Sequence, residues 1–131
     1  MIIDLHVHTK YSGDASIEPS ELIKVAKARG LDGIAVTDHD TTQGWAHFSV
    51  VDDFTTIQGI EKTTDQGSII GLFLNEEIDA YGFWEVVDQI RSQGGIVVLP
   101  HPCDPFRRDT LKIRALDKGL LRTRIDAVEV F

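Results

Sequence analysis

What most constrains the fold of this chain is where its metal-competent side chains fall: they recur just after, or at the end of, short apolar runs. Met1-Ile2-Ile3-Asp4-Leu5-His6-Val7 reads as a short buried strand, and because side chains alternate along a strand, His6 and His8 project to the same side. Imidazole is the commonest protein metal ligand, so such a pair at a strand mouth can hold one divalent ion without rearrangement. Alone, the pair would more often be two polar residues at a strand end. Here Asp14, Thr37-Asp38-His39-Asp40, Gly59-Ile60-Glu61 and Pro100-His101-Pro102 repeat the arrangement after other apolar runs. That is the pattern of a site built at the carboxyl ends of parallel strands.

The segments between these points read as alternating strands and helices. Gly13 lets the loop 9–16 turn and fold Asp14 back towards the histidines. Helical periodicity from Glu18 or Pro19 to Arg29 buries Leu22, Ile23, Val25 and Ala26, and Gly30 stops it. Leu31 to Thr37 is a strand too apolar for an open face, so strand, helix and strand make a right-handed crossover. A short helix is predicted over Gln43 to Val50, where His47 beside Trp45 and Phe48 reads as a packing or surface residue. Phe54 to Glu61 is a third strand ending on its carboxylate, and Gly67 to Leu74 a fourth, the turn-rich 63–67 allowing a hairpin. Tyr81 to Gln93 is a helix with Phe83, Trp84, Val87 and Ile90 on one buried face. Ile96 to Leu99 is an all-apolar strand that aims His101 at the same rim, Thr110 to Lys118 a helix, and Asp126 to Phe131 a final strand. Glu129 faces the rim if that strand keeps the register of the others.

Composition narrows the function classes. The chain has 131 residues, enough for one domain with a core, and 42% are hydrophobic. No apolar stretch approaches the roughly 20 residues that cross a bilayer, and the N-terminus lacks the layout of a signal peptide, so a cytoplasmic location without membrane partners is expected. A formal net charge of −8 argues against a nucleic-acid surface, which works by neutralising phosphates. The single cysteine, Cys103, cannot form an intramolecular disulfide and reads as an inert neighbour of His101 or a metal contact.

His6-Val7-His8-Thr9, Asp14, Thr37-Asp38-His39-Asp40-Thr41, Gly59-Ile60-Glu61 and Leu99-Pro100-His101-Pro102 together resemble the polymerase and histidinol phosphatase (PHP) family of metal-dependent phosphoesterases. The resemblance implies an α/β chain forming a distorted (β/α)7 TIM-like barrel with parallel strands. It also implies two or three divalent ions: His6, His8 and Glu61 would hold one, Glu61 and His101 a second, Asp14 and His39 a third. Two departures stand out. Where the family has a histidine after the glutamate in a Gly-His-x-x-Gly setting, this chain has Ser68 in Gly67-Ser68-Ile69-Ile70-Gly71, and the family's late Asp-x-His motif does not appear. The expectation is a single PHP-like domain over 1–131, lacking the last strands either as a fragment or as a short form that completes its sheet by self-association.

Histidines mixed with carboxylates suit Zn²⁺, Mn²⁺ or Fe²⁺ better than Mg²⁺ or Ca²⁺. The chemistry expected is attack of metal-activated water on a small phosphorylated metabolite or nucleotide. Asp38 would support His39 or accept a proton, while Arg107 and Arg108 would hold phosphate through paired N–H donors or else form a solvated basic loop; Lys10 is a weaker candidate of the same kind. Two other readings stay open: a metal-dependent hydrolase of C–N or C–O bonds, amidohydrolase-like, and a metal-binding remnant without catalysis.

Overall fold

The computed structural model describes residues 1–48, 52–102 and 117–130. Its elements run β1 (Ile3–Val7), α1 (Pro19–Ala28), β2 (Gly33–Val36), β3 (Thr55–Thr64), β4 (Gly67–Leu72), α2 (Phe83–Ser92), β5 (Ile96–Leu99), α3 (Lys118–Arg124) and β6 (Ala127–Val128), with 3-10 turns at Lys10–Ser12 and Gln43–His47. The strands form one sheet in chain order, β1-β2-β3-β4-β5-β6. Although β1 and β6 are the two edges of that order, His6 at the end of β1 reaches Glu129 just past β6, so the sheet curls into a half-barrel whose edges converge at one rim.

The expectation of uniformly parallel strands is corrected at β4, which runs antiparallel to both β3 and β5. Only Asp65 and Gln66 separate β3 from β4, and a parallel return needs a dozen or more residues. The remaining pairings are parallel: β1 with β2, β2 with β3, and β5 with β6.

Two helices close the faces. α1 begins with Pro19, whose missing N–H costs nothing in a first turn, and buries Leu22, Ile23 and Ala26 against Ile34, Val36 and Phe54. Val25, expected in that stripe, is exposed. α2 packs Phe83, Val86, Val87 and Ile90 on Ile60, Ile69, Val97 and Leu99, while Trp84 is half-buried beside this core with the Arg124 guanidinium over its ring. The α2 start is tied to the hairpin by the Phe83 N–H, which donates to Asp65 Oδ1 at 2.9 Å.

Other boundaries moved for physical reasons. β1 is half open rather than buried, with Asp4 and Leu5 exposed, as an edge strand allows. β3 runs to Thr64 instead of ending at Glu61, because β4 supplies partners for Lys62, Thr63 and Thr64. β4 stops at Leu72, and the final strand is two residues long. The short helix expected from Gln43 is a 3-10 turn. Asp117 caps α3 by accepting from the Gly119 and Leu120 N–H groups, so helix begins at Lys118, where the sequence suggested an end. Of the helix expected from Thr110 to Lys118, the part over 110–116 lies outside the described residues, as do Cys103, Arg107, Arg108 and Phe131.

Candidate metal centre

Each cluster residue reaches the rim through a specific backbone device. His6 and His8 leave the end of β1 on one side. β2 and β3 hold one register from Gly33 opposite Thr55 to Val36 opposite Gln58, and the pairing reappears at His39 opposite Glu61. The Glu61 N–H donates to the Asp38 carbonyl and the Asp40 N–H to the Glu61 carbonyl, both at 3.1 Å, which fixes His39 and Glu61 side by side. Glu61 is therefore a mid-strand residue, and its side chain is fully buried. His101 follows β5 between two prolines that have no N–H to donate. Its own N–H donates to Glu129 Oε2 at 2.7 Å, and its φ of 29° lies in the left-handed region that a non-glycine residue rarely adopts.

The donor atoms converge closely. His6 Nε2 and His8 Nε2 are 3.0 Å apart, and both face the same Glu61 oxygen, Oε2, at 2.9 and 3.0 Å. The other Glu61 oxygen, Oε1, lies 3.2 Å from His101 Nε2. On the far side, His8 Nδ1 and Asp14 Oδ1 are 3.2 Å apart, His39 Nε2 is 3.4 Å from Asp14 Oδ2, and His39 Nδ1 is 3.7 Å from Glu61 Oε2. Among the described residues, ligand atoms within 4.8 Å of one another thus fall into three overlapping groups: His6, His8 and Glu61; His8, Asp14 and His39; and His6, His101 and Glu129.

This donor set fits a divalent ion. Four ligands at about 2.0–2.1 Å around a tetrahedral centre sit about 3.3 Å from one another, close to the spacing seen for His6, His8 and Glu61. Two imidazole Nε2 atoms directed at one carboxylate oxygen compete for it as hydrogen-bond donors, whereas both can serve a cation as neutral ligands. The two Glu61 oxygens, one toward His6 and His8 and the other toward His101, have the disposition of a bridging carboxylate.

Electrostatics express the same crowding. Burial by itself pushes the Glu61 carboxyl up, but hydrogen bonds from His6 and His8 and the nearby imidazoles outweigh it and hold the group well below the usual carboxylate range. For His6, burial favours the neutral ring, yet Glu61 and Glu129 together raise its pKa above 6.5. His8 is likewise raised by Glu61 and Asp14 against the effect of burial. Asp14 is lowered, its slight burial being outweighed by Ser12, His8 and His39.

Of the residues singled out in the sequence, His6, His8, Asp14, His39, Glu61 and His101 come together here. Asp38 is placed beneath them: its Oδ1 accepts the Thr9 N–H at 2.5 Å and its Oδ2 the Thr9 hydroxyl at 2.8 Å. It thereby pins the residue after His8. A side chain at Gly44 would put its Cβ 1.9 Å from Asp38 Oδ2, so this buried pairing tolerates only glycine there. Lys10 is paired with Glu18, and exposed His47 stacks on Tyr11 with ring centroids 4.5 Å apart. Ser68 is buried on β4 opposite Thr63, on the sheet face that carries Glu61. The sequence reading missed Ser12, whose Oγ lies 2.9 Å from His8 Nδ1 and accepts the His39 N–H at 2.9 Å. Its only signal was position, four residues after His8 in a tight turn.

A family model, the PHP domain, matches residues 4–99. This chain belongs to the PHP family. An uncharacterized protein of Methanocaldococcus jannaschii is 37% identical over 145 residues, an alignment taking in 100% of this chain and 81% of that protein. A second from the same organism is 36% identical over 135 residues, with 100% and 52% covered. A Shewanella loihica protein named "Probable phosphatase" is 30% identical over 134 residues, with 79% and 54% covered. This PHP chain spans about half the length of the latter two. Two solved structures share its fold. A two-domain Bacteroides vulgatus protein containing a predicted PHP-like metal-dependent phosphoesterase matches at a TM-score of 0.72 and 20% identity, covering 98% of this chain and 43% of that one. An amidohydrolase from Chromobacterium violaceum, with bound sulfate and no metal, matches at 0.74 and 17%, covering 98% and 76%. No helix among the described residues is long and apolar enough to cross a membrane.

Proposed function

We propose that this PHP domain hydrolyses a small phosphorylated metabolite or nucleotide, using two or three divalent ions of the Zn²⁺, Mn²⁺ or Fe²⁺ kind. In the same reading its curled sheet is part of a distorted (β/α)7 barrel. The observation that carries the proposal is the division of the Glu61 oxygens between the His6–His8 pair and His101. Divalent ions held there supply Lewis acidity toward a phosphoryl group and toward water. The chain's own residues do the rest. Glu61 keeps two positions at a fixed separation, His6 and His8 define one of them, and His39 with Asp14 extends the cluster. Asp38 acts through Thr9 to hold His8 in place. Arg107 and Arg108 are proposed to grip the substrate phosphate, a role that rests on the sequence alone. The name borne by the Shewanella loihica relative supports the reaction class.

Hydrolysis of a C–N or C–O bond is the second reading, favoured by the fold shared with the Chromobacterium violaceum amidohydrolase. One experiment separates them. The protein is stripped with chelator, reconstituted with Mn²⁺, Zn²⁺ or Fe²⁺ in turn, and assayed on phosphomonoesters, amides and lactones. Metal-dependent phosphomonoester turnover, inhibited by inorganic phosphate, is the expected result. Turnover of amides or lactones alone would replace the proposal with the second reading, and tight metal binding with no turnover would leave a metal-binding protein.

A further inference from the structure

Glu129 lies just past β6 and shares a candidate metal group with His6 and His101, but the function proposed above gives it no role. Its own N–H donates to the Leu99 carbonyl at 2.9 Å, so it keeps the register of β5 and β6, and its half-buried side chain turns to the rim. Its two oxygens have different partners. Oε2 accepts the His101 backbone N–H at 2.7 Å, and Oε1 lies 3.2 Å from His6 Nδ1. The opposite ring nitrogen, His6 Nε2, is the one directed at Glu61 and His8.

An imidazole binds metal through a nitrogen without a proton, and the hydrogen bond at the other nitrogen decides which one that is. A backbone N–H can only donate. For His6 to offer Nε2 to a metal while neutral, Nδ1 must carry the proton and donate as well. Glu129 therefore faces two donors at once, and a carboxylate is the side chain of this length with two acceptor oxygens and no donor.

We infer that Glu129 is a positioning residue that fixes the Nδ1–H tautomer of His6, and with it the ligating lone pair on Nε2, while the same carboxylate clamps the backbone of His101. The inference rests on the metal-centre reading above but not on the reaction proposed for it. Glutamine at 129 is the discriminating replacement. It matches the shape, yet its single oxygen can satisfy only one donor. With the oxygen on the His101 N–H, its amide N–H₂ faces His6 Nδ1, which then accepts and moves the proton to Nε2.

The test uses ¹⁵N-labelled side chains in the protein loaded with Zn²⁺, so that His6 Nε2 is not left to donate to the Glu61 carboxylate as it does without an ion. Ring-nitrogen shifts distinguish the two tautomers, and free histidine side chains favour Nε2–H. The expected result is Nδ1–H for His6 in the unaltered protein and a shift toward Nε2–H in Glu129→Gln. Metal affinity, read by competition with a chromophoric chelator, should fall roughly 10–100-fold in the same variant, the usual cost of losing the partner of a ligating histidine. Nε2–H at His6 in the unaltered protein would overturn the inference, and needs no variant to be seen. So would a folded Glu129→Gln with unchanged tautomer and unchanged metal affinity. Phosphatase activity enters neither readout, so failure of the proposed reaction and failure of this inference are separately visible.

Discussion

The two halves of the sheet differ in how firmly they are built. Around α2, the residues Ile60, Ile69, Val86, Val87, Ile90 and Val97 are all fully buried, and two side chains, one in the helix and one at its C-cap, order the preceding loop. Gln89 Oε1 accepts from the Asp79 and Ala80 N–H groups and Gln93 Oε1 from those of Asn75 and Glu76. Around α1, Leu22 and Ile23 are each 9% exposed and Leu5 is 45% exposed. Yet His6, His8, Asp14 and His39 all come from this less covered half, while Glu61 and His101 come from β3 and β5. The firm half fixes the Glu61 carboxylate, and the looser half brings histidines to it. Local opening is easiest where burial is least, so a metal ion here ties the weaker region to the stronger one.

The sharpest way to break this comparison is Glu61→Gln. It keeps volume but removes the charge that both halves address, and truncating one partner of a buried ionic set costs about 3–5 kcal/mol. Elemental analysis should show metal lost from the whole cluster; retention of full stoichiometry would mean the halves bind independently. Next in size is the effect of metal itself. At a free concentration about 1,000 times its Kd, an ion that binds only the folded state adds about 4 kcal/mol. Hydrogen exchange should then slow more in β1 and the 9–16 loop than in α2; equal slowing would contradict the picture of a tethered weak half.

A pair of truncations measures the packing difference directly. Ile90→Ala should fall at the upper end of the roughly 2–5 kcal/mol range for such substitutions and Leu22→Ala at the lower end, compared by chemical denaturation of metal-free protein. Smallest is the pH effect. In metal-free protein, His6 and His8 are raised, so their contribution is fully present below 6.5 and is lost as pH climbs through their folded values. Glu61 is lowered, so its contribution is present above 4.5 and is lost only in strong acid. The apo protein should therefore be most stable between about pH 4.5 and 6.5 and lose stability toward pH 8. Metal affinity should rise over that same climb, because ions and protons compete for the imidazoles.

Much of this was legible because it depends on side-chain identity and local spacing. His6 and His8 share a side because a strand alternates, α1 starts at a proline, and β5 is apolar throughout and halted by Pro100. What was not legible depends on partners far along the chain. Whether β3 stops at Glu61 is decided by β4, which offers partners as far as Thr64. That α1's buried stripe leaves out Val25 follows from the direction in which the helix meets Phe54 and Ile34. Ser12 carries no pattern at all; a serine in a turn is unremarkable until His8 and His39 are brought to it. Asp38 is read from the sequence as a support for His39 or a proton acceptor; that its carboxylate accepts from Thr9 depends on a residue 29 positions away.

The contact between His6 and Glu129 spans 123 positions of sequence. During synthesis the first histidine emerges long before its carboxylate, since ribosomes deliver about 5–20 residues per second. Closing so long a loop is also entropically late in folding. A nascent chain therefore exposes His6, His8 and Glu61 for several seconds without the group that sets the ring. Any ion that binds during synthesis would thus first meet an incomplete ligand set, lacking both His101 and the Glu129 carboxylate.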